Sequence, residues 1–450
     1  MIILQIVLGL IGLGILVFIH ELGHFTAARA VGIKVDAFSI GWGNPILKKK
    51  IGDTEYRLGL FPIGGYCKMH GDSDYNNEAY ENILKGIKPE KGSFLAAPPL
   101  SRIIVSFGGP FFNLLFAVVL LSFLWGFGFE INTFENKIVL ASEISAGETY
   151  PADIAGLQSG DRIVEINGRQ ISYFHEIQEN IALNPDRTLP ITVERGGRLM
   201  QMNITPSLDR SSGAGRIGIY FWAQPEIGFV LEGSPAQNAG LMPGDIILSA
   251  NGTALNNSID LMKIRGQNPG ELVLEYERSG IRREAVFSAH DMEGELGFSW
   301  QTVSYRTPNL SIPAAVGKGI QESYRTLAVS VSSLRLLFMG IDLTQAVSGP
   351  ARITYMIGDM ATQGFGQGVG TGLRTIANFL ALISIVLCVM NLLPLPIIDG
   401  GMIILFLVEM IRRKPAHPKA IAVFQTCGMV IISGLIILAV FGDILFFAGR

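Results

Sequence analysis

The chain has 450 residues and a formal net charge of −3, with 16% charged and 49% apolar residues. Soluble domains carry about 25% charged residues, so this composition and a mean hydropathy of +0.39 point to a membrane protein of roughly three domain-sized units. The near-neutral balance excludes nucleic acid as the main partner, because phosphate binding needs a concentrated basic surface; Cys67, Cys388 and Cys427 have no metal spacing and read as structural.

The first predicted element is an apolar helix over residues 1–30. No charged side chain occurs before His20. The run is long enough to cross a bilayer, which takes about 20 residues. It lacks the basic start and small-residue cleavage site of a secretory signal. Near its end stands His20-Glu21-Leu22-Gly23-His24. Residues four apart share a helix face, so both imidazoles can reach one ion, with Glu21 placed to deprotonate a water. The five-residue pattern alone arises by chance in many proteins. Three ionisable groups inside an apolar span are costly, however, and a divalent cation offsets that cost. The competing reading has the histidines snorkelling at the membrane interface.

Residues 31–101 follow as a loop rich in lysine: Lys34, Lys48, Lys49, Lys50, Lys85, Lys88 and Lys91, with Arg102 just beyond. Within it, Tyr56, Leu58 and Leu60 alternate, and Pro62, Gly64 and Gly65 predict a turn, so Thr54 to Lys68 reads as a hairpin. Its exposed edge could pair with an extended peptide. A second span is expected over 102–130.

The next region repeats itself. Pro151-Ala152, Ala155-Gly156-Leu157, Gly160-Asp161 and Asn167-Gly168 return as Pro235-Ala236, Ala239-Gly240-Leu241, Gly244-Asp245 and Asn251-Gly252. Each copy runs a short apolar strand into an Asn-Gly hairpin signal. The motif resembles a PDZ domain of the bacterial protease type, giving two domains over 136–210 and 216–300. Neither copy has a G-L-G-F-type loop, which argues against capture of peptide C-termini. A helix is predicted from Ala314 to Phe338 within a segment spanning 301–373. Its apolar positions Ile320, Tyr324, Leu327, Val331, Leu334 and Phe338 predict one face that packs on the repeat pair or lies along the membrane.

A third span is predicted over 374–411, interrupted by Asn391, Pro394, Pro396, Asp399, Gly400 and Gly401. Proline breaks a helix, and freed backbone groups at membrane depth need protein or a watery cavity to receive them. A catalytic zinc site takes three protein ligands, and Asp399 supplies the one missing from the first helix; a carboxylate facing a water-filled cavity is the alternative. A short loop, 412–419, carries Arg412, Arg413, Lys414 and Lys419 before a fourth span over 420–448. The basic segments place the two loops on the cytoplasmic side, leaving the repeat outside. His70, His175, His290 and His417 stand outside any ligand spacing and read as ordinary histidines.

H-E-x-x-H in the first span and N-x-x-P-x-P-x-x-D-G in a late span together resemble the site-2 protease family, over essentially the whole chain. Gly41-Trp42-Gly43, Gly108-Gly109-Pro110 with Asn113, and Ser348-Gly349-Pro350 are smaller matches. The resemblance implies a polytopic α-helical membrane protein with four transmembrane helices, a cytoplasmic-side β-hairpin and two tandem periplasmic PDZ domains. It implies one Zn2+ per chain held by His20, His24 and Asp399, Glu21 as the base, and Asn391, Pro394 and Pro396 at the substrate. It also implies a multi-pass protein of the bacterial inner membrane, cutting near the cytoplasmic side. The implied partners are the lipid bilayer and single-span proteins, such as a pre-trimmed anti-sigma factor in sigma-E envelope-stress signalling and remnant signal peptides. The PDZ pair would exclude substrates with a bulky outer domain, or dock peptides. Two other classes remain at this stage. A membrane-anchored PDZ scaffold has no need of Glu21. A membrane zincin that cuts at the surface takes a glutamate as third ligand, against Asp399.

Overall fold

Ile2–Ala30 form α1, an unbroken apolar helix without proline. It ends where Gly32 takes a left-handed φ of 79° and Ile33 N–H bonds back to the Ala28 carbonyl, a conformation glycine adopts at low cost. The computed structural model describes residues 2–71, 90–145, 147–209, 213–267, 270–292, 294–334, 349–366 and 368–448. Lys85, Lys88, Phe338 and Ser348 lie outside the described residues. The chain splits into one unit of Met1–Phe129 with Thr307–Arg450, and a second of Glu130–Arg306.

Two long strands follow α1: β1 (Val35–Ile51) and β2 (Thr54–Met69). The hairpin turns at Gly52 and Asp53, between the paired Ile51 and Thr54. The sequence expectation put a turn at Pro62–Gly65, and although that stretch lies inside β2 the chain does reverse there. Proline lacks an N–H and Gly64 has a φ of 83°, so the pairing is interrupted and the second half of β2 runs opposite to the first: residues 37–40 rise in step with 55–58 but against 65–68. As a result Ala37 pairs with both Lys68 and Glu55, and Ser39 with both Tyr66 and Arg57. The first half of β1 is therefore flanked by both halves of β2. Phe38 meets Phe18 and Phe25 of α1 edge-on at centroid distances of 6.0 and 5.3 Å, which seats the hairpin on that helix.

Helix α2 (Pro99–Phe127) starts on a proline and carries Pro110 in its interior. It packs along α1.

The second unit holds the repeat in three dimensions. Strands β3 (Arg162–Ile166), β4 (Arg169–Gln170), β5 (Leu189–Arg195) and β6 (Arg198–Ile204) lie in the order β4-β3-β5-β6, with helix α3 (Phe174–Ala182). In the second copy β7 (Ile246–Ala250), β8 (Thr253–Ala254), β9 (Leu272–Arg278) and β10 (Ile281–Phe287) lie as β8-β7-β9-β10, with helix α4 (Ser258–Gln267). Asn167-Gly168 and Asn251-Gly252 all have positive φ, as a two-residue hairpin turn requires. One buried carboxylate recurs in each copy. Arg195 donates to both oxygens of Asp161 at 2.7 Å and to the Gly156 carbonyl at 2.8 Å. Arg278 does the same to Asp245 and Gly240. The repeated Gly-Asp pair thus ties the last residue of one strand to the loop before another.

Helix α5 (Ile312–Leu334) returns to the first unit and packs on α2 and α7 (Val369–Asn391), with α6 (Pro350–Gly366) between them in sequence. Helix α5 packs through its small residues and leaves its apolar face exposed. Ala315, Gly319 and Ser323 are buried, and a Cβ on Gly319 would lie 2.2 Å from Ser122 Oγ. Small residues allow close helix approach, so the bulkier Ile320 and Tyr324, 52% and 70% exposed, point away. The predicted third span is two helices: α7 ends at Asn391, and α8 (Asp399–Arg412) starts after the proline loop. Helix α9 (Pro418–Ala448) completes the chain. Helices α1, α2, α7 and α9 are long and apolar enough to cross a membrane.

Candidate active site

Two tight contacts bring three helices to one point. A Cβ on Gly23 of α1 would stand 2.2 Å from the Gly108 carbonyl oxygen of α2, so the helices touch backbone to backbone where a side chain would part them. The loop 392–398 folds back on the start of α8. A Cβ on Gly400 or Gly401 would lie 2.2 Å from the Leu393 oxygen or 2.0 Å from the Leu395 oxygen. Within that loop Ile397 has a φ of 81°, a strained conformation for a β-branched residue. The strain sits two residues before Asp399, the first residue of α8.

At this junction His20, His24 and Asp399 converge, with one ligand atom of each within 4.8 Å of the others. Nε2 of His20 lies 3.2 Å from Nε2 of His24. Asp399 Oδ2 lies 3.3 Å from His20 Nε2, and Oδ1 lies 3.4 Å from His24 Nε2. Bonds of about 2.1 Å around a tetrahedral zinc set donor atoms about 3.4 Å apart; the two imidazole nitrogens stand near that spacing, and each has one oxygen of the Asp399 carboxylate at a similar distance. Asp399 Oδ2 is buried and makes no hydrogen bond of regular geometry, which suits an oxygen that faces a cation. Among the described residues no second cluster of three such groups occurs.

The surrounding groups orient the side chains of the cluster. His24 is 8% exposed and its Nδ1 donates to the Val105 carbonyl at 2.9 Å, so its Nε2 lone pair faces the cluster. Nδ1 of His20 lies 3.1 Å from the Asn113 side-chain amide. Gly109 forms the floor: a Cβ there would stand 2.5 Å from His24 Nε2 and 2.8 Å from His20 Nε2. Glu21 accepts a hydrogen bond from the Cys67 backbone N–H, and its Cγ lies 3.2 Å from where a Cβ on Gly65 would be. The second half of β2 therefore runs beside the carboxylate.

The other expected site residues are placed differently. Asn391 ends α7, and its side chain makes no hydrogen bond among the described residues. Pro394 is exposed, whereas Pro396 is buried under α9, where a Cβ on Gly428 would lie 2.4 Å from it. His70 pairs with Asp36 and Glu90, away from any ligand cluster. The three cysteines form no disulfide. Gly109, the Val105 carbonyl and Asn113 carried no chemical role in the sequence reading; their only signal was the small Gly-Gly-Pro…Asn match.

A sequence model of peptidase family M50 matches residues 8–435. The chain belongs to peptidase family M50. M50 relatives cover it almost end to end. A Treponema pallidum protein is 36% identical over 98% of this chain and 99% of its own length. One from Neisseria meningitidis is 31% identical over 96% of each, and one from Borreliella burgdorferi is 28% identical over 98% of each. All three bear the name "Putative zinc metalloprotease". Zinc is the metal this M50 chain uses, and its donor set of two imidazoles and one carboxylate fits that ion.

Proposed function

We propose that this M50 protein is an intramembrane zinc endopeptidase, of the EC 3.4.24 type, that hydrolyses peptide bonds within transmembrane segments of single-span proteins. The reading is carried by one observation: His20, His24 and Asp399 converge with one ligand atom of each within 4.8 Å of the others, next to Glu21 on a helix long enough to span a bilayer. His20, His24 and Asp399 would hold the ion. When bound, zinc supplies Lewis-acid activation of water and of the peptide carbonyl.

The chain's own residues do the rest. Glu21 accepts the proton of the attacking water and returns it to the leaving nitrogen. The Cys67 N–H and the Gly65 contact keep that carboxylate oriented. A helical substrate must unwind to offer a carbonyl. The second half of β2, beside Glu21, is an edge with which an unwound segment can pair as an added strand. Asn391 and Pro394, at the end of α7 and in the loop that leads to Asp399, are read as substrate contacts, with Asn391 offered to the substrate backbone, while Pro396, buried under α9, would hold that loop.

The two copies in the second unit are read as tandem PDZ domains, supported by their shared strand order and Asn-Gly turns. With the basic segments cytoplasmic, they stand in the periplasm of a cell whose inner membrane holds the helices. Substrates of the sigma-E pathway, a pre-trimmed anti-sigma factor and remnant signal peptides, follow from resemblance of the whole layout. A membrane-anchored scaffold without catalysis is the second reading, disfavoured by an intact Glu21 beside the cluster.

The test compares purified wild type with Glu21→Gln in detergent, by elemental analysis for zinc and by cleavage of a tagged single-span substrate. The reading predicts about one zinc per chain in both and a loss of cleavage of about 100- to 10,000-fold in the variant. Absence of metal from both, or equal cleavage, moves the scaffold reading to the front.

A further inference from the structure

The two histidines at the cluster are aimed by different kinds of partner. The Val105 carbonyl can only accept, so His24 carries its proton on Nδ1 and keeps its Nε2 lone pair turned to the cluster. The partner of His20 is the side chain of Asn113, 0% exposed in the middle of α2, with Nδ2 3.1 Å from Nδ1 of the ring. An amide can offer either of two groups. Facing the ring with Nδ2, it donates to Nδ1 and leaves the ring proton on Nε2, directed at Asp399 Oδ2 3.3 Å away. That tautomer has no lone pair for an ion. Facing the ring with Oδ1, it accepts from Nδ1–H and frees Nε2. The two faces differ only by a half-turn about Cβ–Cγ between nearly isosteric groups.

Two further observations bear on the choice. Asn113 Oδ1 is buried with no hydrogen-bond partner, a costly condition for an acceptor, and the half-turn gives it the ring N–H. The Asn113 backbone is also fixed, since its carbonyl accepts from Ser384 Oγ of α7 at 2.8 Å. The amide is therefore held against His20 by two helices and is left one rotation to make.

We propose that Asn113 is a positioning residue for His20: its amide oxygen accepts the Nδ1 proton, selects the tautomer with an unprotonated Nε2, and so sets the zinc affinity of the site. This deepens the proposed function and rests on His20, His24 and Asp399 being the ligands.

The test measures zinc affinity of the full-length protein in detergent by competition with a chromophoric chelator, and records the visible spectrum of the cobalt-loaded forms. Asn113→Leu keeps the volume and removes the acceptor; Asn113→Asp keeps an acceptor and removes the donor. Loss of an outer partner of a ligand weakens binding by about 10- to 100-fold, which is expected for Leu, while Asp stays within about threefold of wild type with an unchanged cobalt spectrum. If Leu does not fold by circular dichroism, Asn113→Ala replaces it with the same expectation. Wild-type affinity in Leu or Ala, or an Asp variant as weak as Leu, overturns the proposal. His20→Ala is the control for the underlying reading. If it loses zinc while Asn113→Leu keeps it, only the role of Asn113 fails. If His20→Ala also keeps zinc, the ligand assignment itself fails.

Discussion

Gly109 and His24 approach so closely that a Cβ on the glycine would stand 2.5 Å from the imidazole Nε2. The floor of the cluster is thus a backbone surface that only a hydrogen atom can share. Alanine in a helix is favoured over glycine by about 1 kcal/mol, so Gly109→Ala should leave α2 intact while pushing the ring off its donor position. The expected result is native helix content with at least a tenfold loss of zinc affinity, an estimate of about 1.4 kcal/mol from displacing one ligand. Gly126→Ala serves as the control, since its nearest neighbour would be Ala315 Cβ at 3.8 Å. Zinc binding by Gly109→Ala at wild-type strength would show that the floor has room to spare.

The residues that meet at the cluster were legible because they violate their surroundings. His20, Glu21, His24 and Asp399 are polar groups in apolar runs, and each violation needs a reason. The walls of the site were not legible, because they are made of what a sequence cannot display: the backbone oxygen of Val105, the missing side chains of Gly23, Gly108 and Gly109, and the direction of Asn113. The hairpin was legible only in part. Pro62 and Gly64 signalled the reversal between the two halves of β2, but not the further turn at Gly52 and Asp53 or the insertion of residues 37–40 between those halves. In α5, hydrophobic periodicity identified a real apolar face and left open whether it packs on the repeat pair or lies along the membrane. Where helices meet through small residues, Ala315, Gly319 and Ser323 form the contact and the large apolar side chains are left outside.

Arg102 of α2 and Glu409 of α8 form an ion pair at 2.8 Å with side chains 8% and 2% exposed. The guanidinium also lies 4.7 Å from the Phe406 ring centroid, and Glu409 accepts from the Ala416 N–H at 2.9 Å. Removing one partner of a buried pair strands the other charge, at a cost of about 3–5 kcal/mol. Arg102→Ala and Glu409→Ala are each expected to lower the melting temperature in detergent clearly. The double variant Arg102→Met/Glu409→Leu should recover much of the loss, because no unpaired charge remains. A double variant as unstable as the worse single one would mean the charges act through other partners.

His70 links the end of β2 to two carboxylates, with Nε2 3.1 Å from Glu90 and Nδ1 3.0 Å from Asp36. Glu90 first, then Asp36, raise its pKa above the ordinary histidine value, and His70 in turn lowers that of Glu90. A group whose folded pKa is raised stabilises the folded state fully below its unfolded pKa of about 6.5 and loses that contribution as pH rises through the folded value. Stability of wild type relative to His70→Gln should therefore be greatest at acidic pH and fade above neutrality. Denaturant unfolding at pH 5.5–8.5, a window of about three units around that value, reads this directly. A difference that grows with pH has the wrong sign and would exclude the pairing as its source.

Asp443 is a carboxylate in the apolar helix α9, only 5% exposed. It accepts from the backbone N–H groups of Gly349, Ala351 and Arg352 at 2.8, 3.1 and 3.2 Å. These are donors at the start of α6 that have no partner within their own helix, and a negative charge there also meets the positive end of the helix dipole. Gly349 is part of the fit, since a Cβ on it would lie 2.3 Å from Oδ2. Each buried N–H left without an acceptor costs about 1–3 kcal/mol. Asp443→Ala should therefore speed hydrogen exchange at the Gly349, Ala351 and Arg352 amides by about tenfold or more, since about 1.4 kcal/mol is a factor of ten. Asp443→Asn, which keeps one acceptor oxygen, should fall between Ala and wild type, and Gly349→Ala should behave like Asp443→Ala. Unchanged protection in both alanine variants would show that α6 holds its first turn without α9.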